Sequence, residues 1–249
     1  MTSLHRILRA GAVALALALT AVPGFAQNAE QTIRDRLGEA RPDIQISYIR
    51  PSRIPGIYTV QVTSGPKIYI DETGEFFVLG DMYQVGKEGF VNLGEVERQN
   101  QRVALVSQVQ GKDMISFKAD GVEKTEIFVF TDVDCGYCRK LHQEVPKLNE
   151  MGVTVHYLAY PRAGVGSDTY RKMASAWCSD DRNVAMTTLK NGQQIAMNVC
   201  QDNPVANQFA LGQQVGVSGT PTIIMKNGVK VPGYMPAERL AAAAGVAAN

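Results

Sequence analysis

Residues 127–138 have the sequence IFVFTDVDCGYC, and this stretch decides the fold of the region around it. Its first half is a short run of branched and aromatic apolar residues, which is typical of a buried strand. Apolar residues then recur at helical spacing, at Cys138, Leu141, Val145 and Leu148. The stretch is therefore predicted to lie at a strand-to-helix junction.

The two cysteines of this stretch are spaced C-x-x-C, so they can open and close one disulfide without movement of the backbone. At the first turn of a helix, unpaired backbone N–H groups and the positive end of the helix dipole favour an anion. Cys135 should therefore ionise more readily than a free thiol, and it is the predicted nucleophile. Cys138 is its predicted redox partner, and Gly136 and Tyr137 between them are predicted to tune the pair.

The N-terminus predicts export. Arg6 and Arg9 precede an apolar run over residues 10–22, and Pro-Gly-Phe-Ala follows at residues 23–26. This order is typical of a cleavable signal peptide, which would span residues 1–26. An uncleaved anchor is the alternative, but the run is well short of the ~20 residues that a membrane-spanning helix needs. The formal net charge of +1 gives no indication of a nucleic-acid partner.

The number of cysteines agrees with an oxidising compartment, since the chain has 4 cysteines, an even number that can pair fully. Several pairings are formally possible. Because Cys135 and Cys138 can pair with each other, Cys178 and Cys200 remain to form a second, structural disulfide. In the chain-entropy account, such a bridge stabilises the fold by about 3 kcal/mol.

The pattern of elements predicts two domains. Residues 27–88 combine a short helix with strand-like stretches, and Asp71-Glu72-Thr73-Gly74 predicts a hairpin turn with Gly74 at positive φ. This small α+β unit offers a thin core, which indicates that it uses a partner surface. A polar helix over residues 93–109 predicts a linker within residues 89–111; a helix packed on a neighbouring domain is the alternative.

Residues 112–249 predict an α/β domain. The strand at residues 127–131, the C-x-x-C helix and a strand at residues 153–158 form a β-α-β unit, whose right-handed crossover makes the strands parallel. A polar, helix-compatible insertion over residues of about 162–212 interrupts the sheet. Asn-Gly at residues 227–228 then predicts a hairpin, and a final helix follows.

Half of a zinc site has the same C-x-x-C spacing, but the second half is missing here. Cys135, Cys138 and His142 could in principle hold a soft metal. The favoured hypothesis has no metal and no cofactor, and it places His142 on the exposed flank of the helix, near enough to tune the thiols. His156 lies inside an apolar strand and is predicted to be a core residue.

The sequence Gly-Val-Ser-Gly-Thr-Pro at residues 216–221 comes directly before a strand of the predicted hairpin. Together with the strand, the C-x-x-C pair and its helix, it resembles the corresponding part of a thioredoxin domain. The resemblance implies that Thr220–Pro221 is a cis peptide that faces the disulfide. Because Pro221 lacks an N–H, an extended substrate could pair with the Thr220 backbone beside it.

Motifs along the whole predicted mature chain resemble the DsbC family of periplasmic thiol:disulfide interchange proteins, which includes a DsbG branch. They are FTD (130–132), CGYC (135–138), KLH (140–142), YLAYPR (157–162), GVSGTP (216–221) and VPGY (231–234). The resemblance implies a homodimer formed through the N-terminal sheet and an apolar cleft between two thioredoxin-like arms. One departure is Asp134, whose carboxylate would disfavour the Cys135 thiolate if it faced the sulfur. We expect a small effect, because neighbouring side chains in a turn can point apart.

The predicted function is that of a periplasmic disulfide isomerase, which attacks wrong disulfides in misfolded exported proteins through the Cys135 thiolate. The resemblance also implies a membrane thiol reductase of the DsbD type as electron donor. The alternatives are a thiol oxidase that donates disulfides, a DsbG-like reductase of oxidised single cysteines with chaperone activity, and a binding module for unfolded proteins or a soft metal.

Overall fold

The computed structural model describes residues 24–63, 65–87 and 89–247. They divide into two compact units, with the boundary between Asp81 and Met82. The predicted signal peptide lies outside the described residues, except for positions 24–26. Within the described ranges, no helix is both long enough and apolar enough to cross a membrane.

The N-terminal unit is one helix and one antiparallel sheet. Its elements are α1 (Gly24–Ala40), β1 (Ile46–Pro51), β2 (Ile57–Val62), β3 (Lys67–Asp71) and β4 (Phe77–Leu79). The four strands are hydrogen-bonded in the order β1-β2-β3-β4. This unit has the α+β composition that the sequence predicted, and it ends at Asp81 rather than at residue 88.

Apolar spacing and turn chemistry explain this unit. The helix α1 buries Ile33 and Leu37 in a cluster with side chains of the sheet, such as Val60. In the turn between β3 and β4, the Asp71 carboxylate accepts the backbone N–H groups of the two residues that lead into β4. Gly74 in this turn has a φ of 72°. The predicted hairpin is therefore confirmed.

The C-terminal unit contains the remaining elements. They are β5 (Tyr83–Gly86), β6 (Gly89–Asn92), α2 (Leu93–Val106), a short 3₁₀ helix (Gly111–Asp113), β7 (Ile115–Phe117), β8 (Thr125–Thr131), α3 (Gly136–Glu150), β9 (Val153–Ala159), α4 (Asp168–Trp177), α5 (Arg182–Lys190), α6 (Val205–Val215), β10 (Thr222–Met225), β11 (Lys230–Pro232) and α7 (Ala237–Ala243). The strands β5 and β6 form a separate two-stranded sheet.

The main sheet of this unit has five strands in the order β11-β10-β8-β9-β7. The pair β8 and β9 is parallel, with α3 as the crossover, and the other pairs are antiparallel. The helices α4, α5 and α6 lie between β9 and β10 in the chain, where the insertion was predicted. The predicted fold class is confirmed.

Packing fixes the direction in which α3 leaves the sheet. The helix buries Leu141, Val145 and Leu148 in the main core, against strand residues such as Ile127 and Val155. Each such side chain contributes about 1.5–3 kcal/mol when fully buried. The N-terminus of α3, with the C-x-x-C pair, is therefore held in one position at the end of β8.

The helix α2 packs within the C-terminal unit. It ends at Val106 rather than at residue 109, and Val106 is buried in a cluster with Phe130 and Leu158. The guanidinium of Arg102 is buried as well, and it donates to the Gly228 carbonyl oxygen at 3.1 Å. Whether α2 also serves as a linker stays a prediction.

Candidate active site

Both cysteines of the C-x-x-C pair lie at the start of α3. Cys135 is the N-cap residue of the helix, and Cys138 is in its first turn with no exposed surface. The two side chains are free thiols in this structure. The Cys135 thiol donates to the Thr220 carbonyl oxygen at 3.2 Å. The junction predicted from the sequence therefore brings Cys135 against a residue far along the chain.

The surroundings of the two thiols shift their pKa values in opposite directions. Burial would raise the pKa of Cys135, but hydrogen bonds with Thr220 and Cys138 and the positive charge of Arg162 outweigh it, and the pKa lies below its ordinary value. Burial dominates at Cys138 and raises the pKa of that thiol. Cys135 is thus the more readily ionised thiol, and Cys138 stays protonated over a wider pH range.

Thr220–Pro221 is a cis peptide that faces the cysteine pair. Its backbone is held by the residue directly after β11, since Gly233 N–H donates to the Pro221 carbonyl oxygen at 2.8 Å. The Thr220 hydroxyl is buried, and the Thr220 side chain is among the groups that lower the pKa of both thiols. The edge beside Cys135 is therefore positioned by β10, which pairs with β8.

Gly136 and Tyr137 occupy the first turn of α3 between the cysteines. The Tyr137 side chain is exposed, so the residue presents an aromatic ring to solvent directly beside the thiols. The structure shows their position, and their role in tuning the pair stays a prediction.

The carboxylate of Asp134 is engaged by side chains of other elements. It accepts from the Thr169 hydroxyl at 2.7 Å and from Lys172 Nζ at 3.0 Å, and Arg139 lies at 3.5 Å. Burial would raise the pKa of Asp134, but the hydrogen bonds of Thr169 and Lys172 outweigh it and keep the pKa low. Two cations thus lie beside this carboxylate, and its effect on Cys135 stays a prediction.

Two charged residues that the sequence analysis did not single out support the Cys135 side of the site. Asp132 is buried at the end of β8, and its carboxylate accepts both the backbone N–H and Nε–H of Arg162, at 2.9 and 3.0 Å. This pair fixes Arg162 where its charge acts on Cys135. The Tyr-Pro-Arg sequence was noted only as part of the family resemblance.

The prediction for His142 was wrong. The imidazole is buried rather than on an exposed flank, and its two nitrogens are hydrogen-bonded to Tyr157 Oη at 3.0 Å and Thr187 Oγ1 at 3.1 Å. The physical reason is that α5 of the insertion covers this face of α3, a contact for which the segment around His142 carries no signal. No group of three or more potential metal-ligating side chains exists in the part of the chain that the structure describes.

Acidification is expected to destabilise the C-terminal unit through His142. Burial lowers the pKa of this imidazole to about 4, and the charge of Lys190 adds to the effect. In the unfolded chain the same group has a pKa of about 6.5. Because the unfolded state takes up the proton first, the free energy of unfolding should fall by about 3 kcal/mol between pH 6.5 and 4.

Urea unfolding at a series of pH values checks this, with His142→Gln as the matched variant that cannot titrate. The stability difference between the two proteins should be constant above pH 6.5 and should narrow as the pH falls below it. Identical slopes for both proteins from pH 6.5 to 4 would show that His142 is not held neutral.

Lys190 is a further residue that the sequence analysis missed. A lysine in the last turn of a polar helix predicts a solvent-exposed partner of the helix dipole. Instead, Lys190 is 3% exposed, and its ammonium donates to Thr131 Oγ1 at 2.5 Å and to the Asp132 carbonyl oxygen at 3.0 Å. It therefore lies under the end of β8, next to the site.

Cys178 and Cys200 form a disulfide, with their Cα atoms 5.8 Å apart. It joins the end of α4 to the segment that precedes α6. The four cysteines are thus divided into one disulfide in the insertion and one pair of free thiols at the helix start.

Comparisons with known proteins agree with this site. A thioredoxin-like domain family matches residues 110–247, and the family described as the disulfide bond isomerase protein N-terminal domain matches residues 24–95. The thiol:disulfide interchange protein DsbC of Escherichia coli K12 is 40% identical over 222 residues, covering 89% of this chain and 90% of the relative. The chain belongs to the DsbC family. DsbC of Dickeya dadantii is 36% identical and covers 92% of each chain.

Membership confirms the enzyme class predicted from the sequence, a thiol:disulfide oxidoreductase of the disulfide isomerase family. A solved structure of a Proteus mirabilis ScsC variant with a linker deletion has a TM-score of 0.51 at 17% identity, covering 61% of this chain and 83% of that chain. At that identity the likeness concerns the fold alone, and it agrees with the thioredoxin-like domain.

Proposed function

We propose that this protein rearranges wrong disulfides in exported proteins of the periplasm, with Cys135 as the attacking thiolate and Cys138 as the resolving thiol. The observation that supports these roles is the contrast between the two thiols. The pKa of Cys135 is lowered at a helix N-terminus, whereas burial raises the pKa of Cys138. In a pair arranged in this way, one sulfur attacks the substrate disulfide, and the other stays protonated until it resolves the mixed disulfide.

The reaction balances without a cofactor. The Cys135 thiolate attacks one sulfur of a substrate disulfide, a mixed disulfide forms, and the other substrate sulfur leaves as a thiolate. That thiolate attacks a different disulfide of the substrate, which forms a new substrate disulfide and releases another substrate thiolate. The released thiolate then attacks the substrate sulfur of the mixed disulfide, which frees Cys135 with the substrate rearranged. Alternatively, Cys138 attacks Cys135 and releases a reduced substrate. The second route leaves Cys135 and Cys138 oxidised.

The second route requires an electron donor. Reducing the Cys135–Cys138 disulfide takes two electrons and two protons, and we propose that a membrane thiol reductase of the DsbD type supplies them by the same exchange chemistry. Export by the predicted signal peptide would place the protein in the oxidising compartment where such a donor is needed.

Thr220 and Pro221 are proposed to hold the substrate. The Thr220 carbonyl oxygen is at hydrogen-bond distance from the Cys135 sulfur, so a peptide that reaches this sulfur passes the cis peptide. Pro221 offers no N–H of its own, which leaves the Thr220 backbone as the pairing group for an extended chain. Substrate would thus be held by main-chain contacts that tolerate many sequences.

The N-terminal unit is proposed to form a homodimer through its sheet. The edge strand β4 presents Phe77, Val78 and Leu79 to solvent, with 54%, 64% and 62% of each residue exposed. An exposed apolar edge strand is a template for pairing with a second chain. Light scattering at micromolar concentration checks this, and the mass of a monomer would contradict it.

The isomerase function is tested by mixing the reduced protein with two forms of one substrate, a scrambled disulfide form and a fully reduced form. We expect native substrate to appear from the scrambled form without an added oxidant. Processing of the reduced form alone, and only by the oxidised protein, would show a disulfide donor instead.

A further inference from the structure

The least expected charge in the C-terminal unit is the ammonium of Lys190. Lys190 lies in the last turn of α5. Its ammonium donates hydrogen bonds to Thr131 Oγ1 and to the Asp132 carbonyl oxygen, at the end of β8. The Tyr157 ring lies 5.4 Å from Nζ. None of these partners carries a full negative charge, and a buried ammonium without a counter-charge is costly.

Lys190 and Cys138 share their surroundings. Burial raises the pKa of Cys138, whereas the charge of Lys190, the Asp132 backbone and the Thr131 side chain all lower it. The same Thr131 hydroxyl and Asp132 residue hold the lysine. The two ionisable groups therefore share one small polar cluster at the end of β8.

Other charges around Lys190 neutralise it only in part. From the end of β8, the Asp132 carboxylate raises the pKa of Lys190, but it is also hydrogen-bonded to Arg162, which shares its charge. From α3, Arg139 and the neutral His142 add no negative charge, and the remaining acids are the two thiols and, from β9, the phenol of Tyr157. Burial raises the pKa of that phenol far above its usual range. Beside the shared Asp132 carboxylate, Cys135 and Cys138 are therefore the groups that can balance the ammonium.

We propose that Lys190 is a positioning residue for Cys138, whose buried ammonium supplies the counter-charge for the thiolate that resolves the mixed disulfide. The inference rests on the proposed roles of the two cysteines. In the resolving step, the Cys138 thiol loses its proton to solvent, and its thiolate attacks Cys135 Sγ. The bond between Cys135 and the substrate sulfur breaks, and the substrate leaves as a thiolate that takes up a proton. Burial lowers the pKa of Lys190 to about 8, so Lys190 keeps its own proton throughout this step near neutral pH.

This role has a consequence for the choice between the two routes. Without the ammonium, the buried Cys138 thiolate would have no cation next to it and would be less stable. The resolution of the mixed disulfide by Cys138 would therefore be slower. The disulfide form of the pair carries no anion, so it leaves the ammonium with only the Asp132 carboxylate that Arg162 shares. Lys190 therefore speeds the release of reduced substrate and favours the reduced form of the protein.

The test is Lys190→Met, which keeps the length of the side chain and removes its charge. Lys226→Met is the matched control, because Lys226 carries the same charge on an exposed side chain after the far end of β10. Oxidised glutathione is the probe, since it forms the mixed disulfide with Cys135 without any need for isomerisation. The rate of glutathione release is followed in stopped flow as a function of pH.

For Lys190→Met we expect the pH midpoint of glutathione release to rise by about one unit, which makes release about tenfold slower near neutral pH. The attack of Cys135 should change less, and the disulfide form should become harder to reduce. Lys226→Met should match the unaltered protein in all three measurements. An unshifted pH midpoint, or equal slowing of both steps, would overturn the proposal.

A second measurement covers the case in which Lys190→Met does not fold. The titration of Lys190 is followed by its ¹³Cε chemical shift in the unaltered protein, once with the cysteine pair oxidised and once reduced. The pKa should be higher in the reduced protein, and equal values would overturn the proposal. If glutathione forms no mixed disulfide with Cys135 in the unaltered protein, the proposed roles of the cysteines fail instead.

Discussion

Cys135→Ser should lose disulfide isomerisation by about a thousandfold or more, because a hydroxyl is not ionised near neutral pH and cannot replace the attacking thiolate. The substitution is nearly isosteric at a residue that is 4% exposed, so the fold should persist. Regain of native disulfides in a scrambled substrate is the measurement. Circular dichroism of the variant serves as the check on folding.

Cys138→Ser is the matched control, since it changes the same chemical group three positions along in the same helix turn. It should keep Cys135 attack and the route in which a substrate thiol resolves the mixed disulfide. It should lose release of reduced substrate and accumulate mixed disulfides that can be trapped in acid. Equal loss in both variants would contradict the separate roles of the two thiols. Full rescue of misfolded substrates by Cys135→Ser would show that holding, rather than exchange, is the main role.

Gly228→Ala should destabilise the C-terminal unit by about 4 kcal/mol, which places it among the most severe single substitutions. Gly228 is in the turn between β10 and β11 with a φ of 82°, where a side chain is strained. An added Cβ would also lie 2.2 Å from the Gln99 carbonyl oxygen, an atom of the α2 backbone that cannot turn away. The substitution would therefore push α2 off the unit or break the hairpin.

Gly121→Ala separates the two causes. Gly121 has a φ of 72° but no atom within 4 Å of an added Cβ, so it carries the backbone strain without the collision. We expect it to cost about 1 kcal/mol. The single tryptophan, Trp177, is buried in the core of the same unit and reports urea unfolding by fluorescence. Equal losses in the two variants would show that the contact with Gln99 does not matter.

The family resemblance and the order of helices, strands and turns could be predicted from the sequence, because they depend on residues that are close together in the chain. Strand and helix periods around the C-x-x-C pair depend on neighbouring residues, and so does the turn chemistry of Asp71–Gly74 and of Asn227–Gly228. The parallel pairing of β8 and β9 follows from the handedness of a single crossover. These features need no knowledge of distant segments.

The site itself required long-range contacts. His142 was placed wrongly because a helix of the insertion covers it, and Lys190 was overlooked because helical spacing alone puts a terminal lysine in water. Neither contact has a signal within the segment that contains the residue.

The sequence by itself determined the family, the fold class and the position of the redox pair at a strand-to-helix junction, because local periodicity and motif spacing encode them. The tertiary structure alone decided that the two thiols have opposed surroundings. Thr220 and Arg162 reach Cys135, while burial and Lys190 act on Cys138. A thiol's pKa depends on the solvent and charge around its sulfur, and segments far apart in the chain supply both.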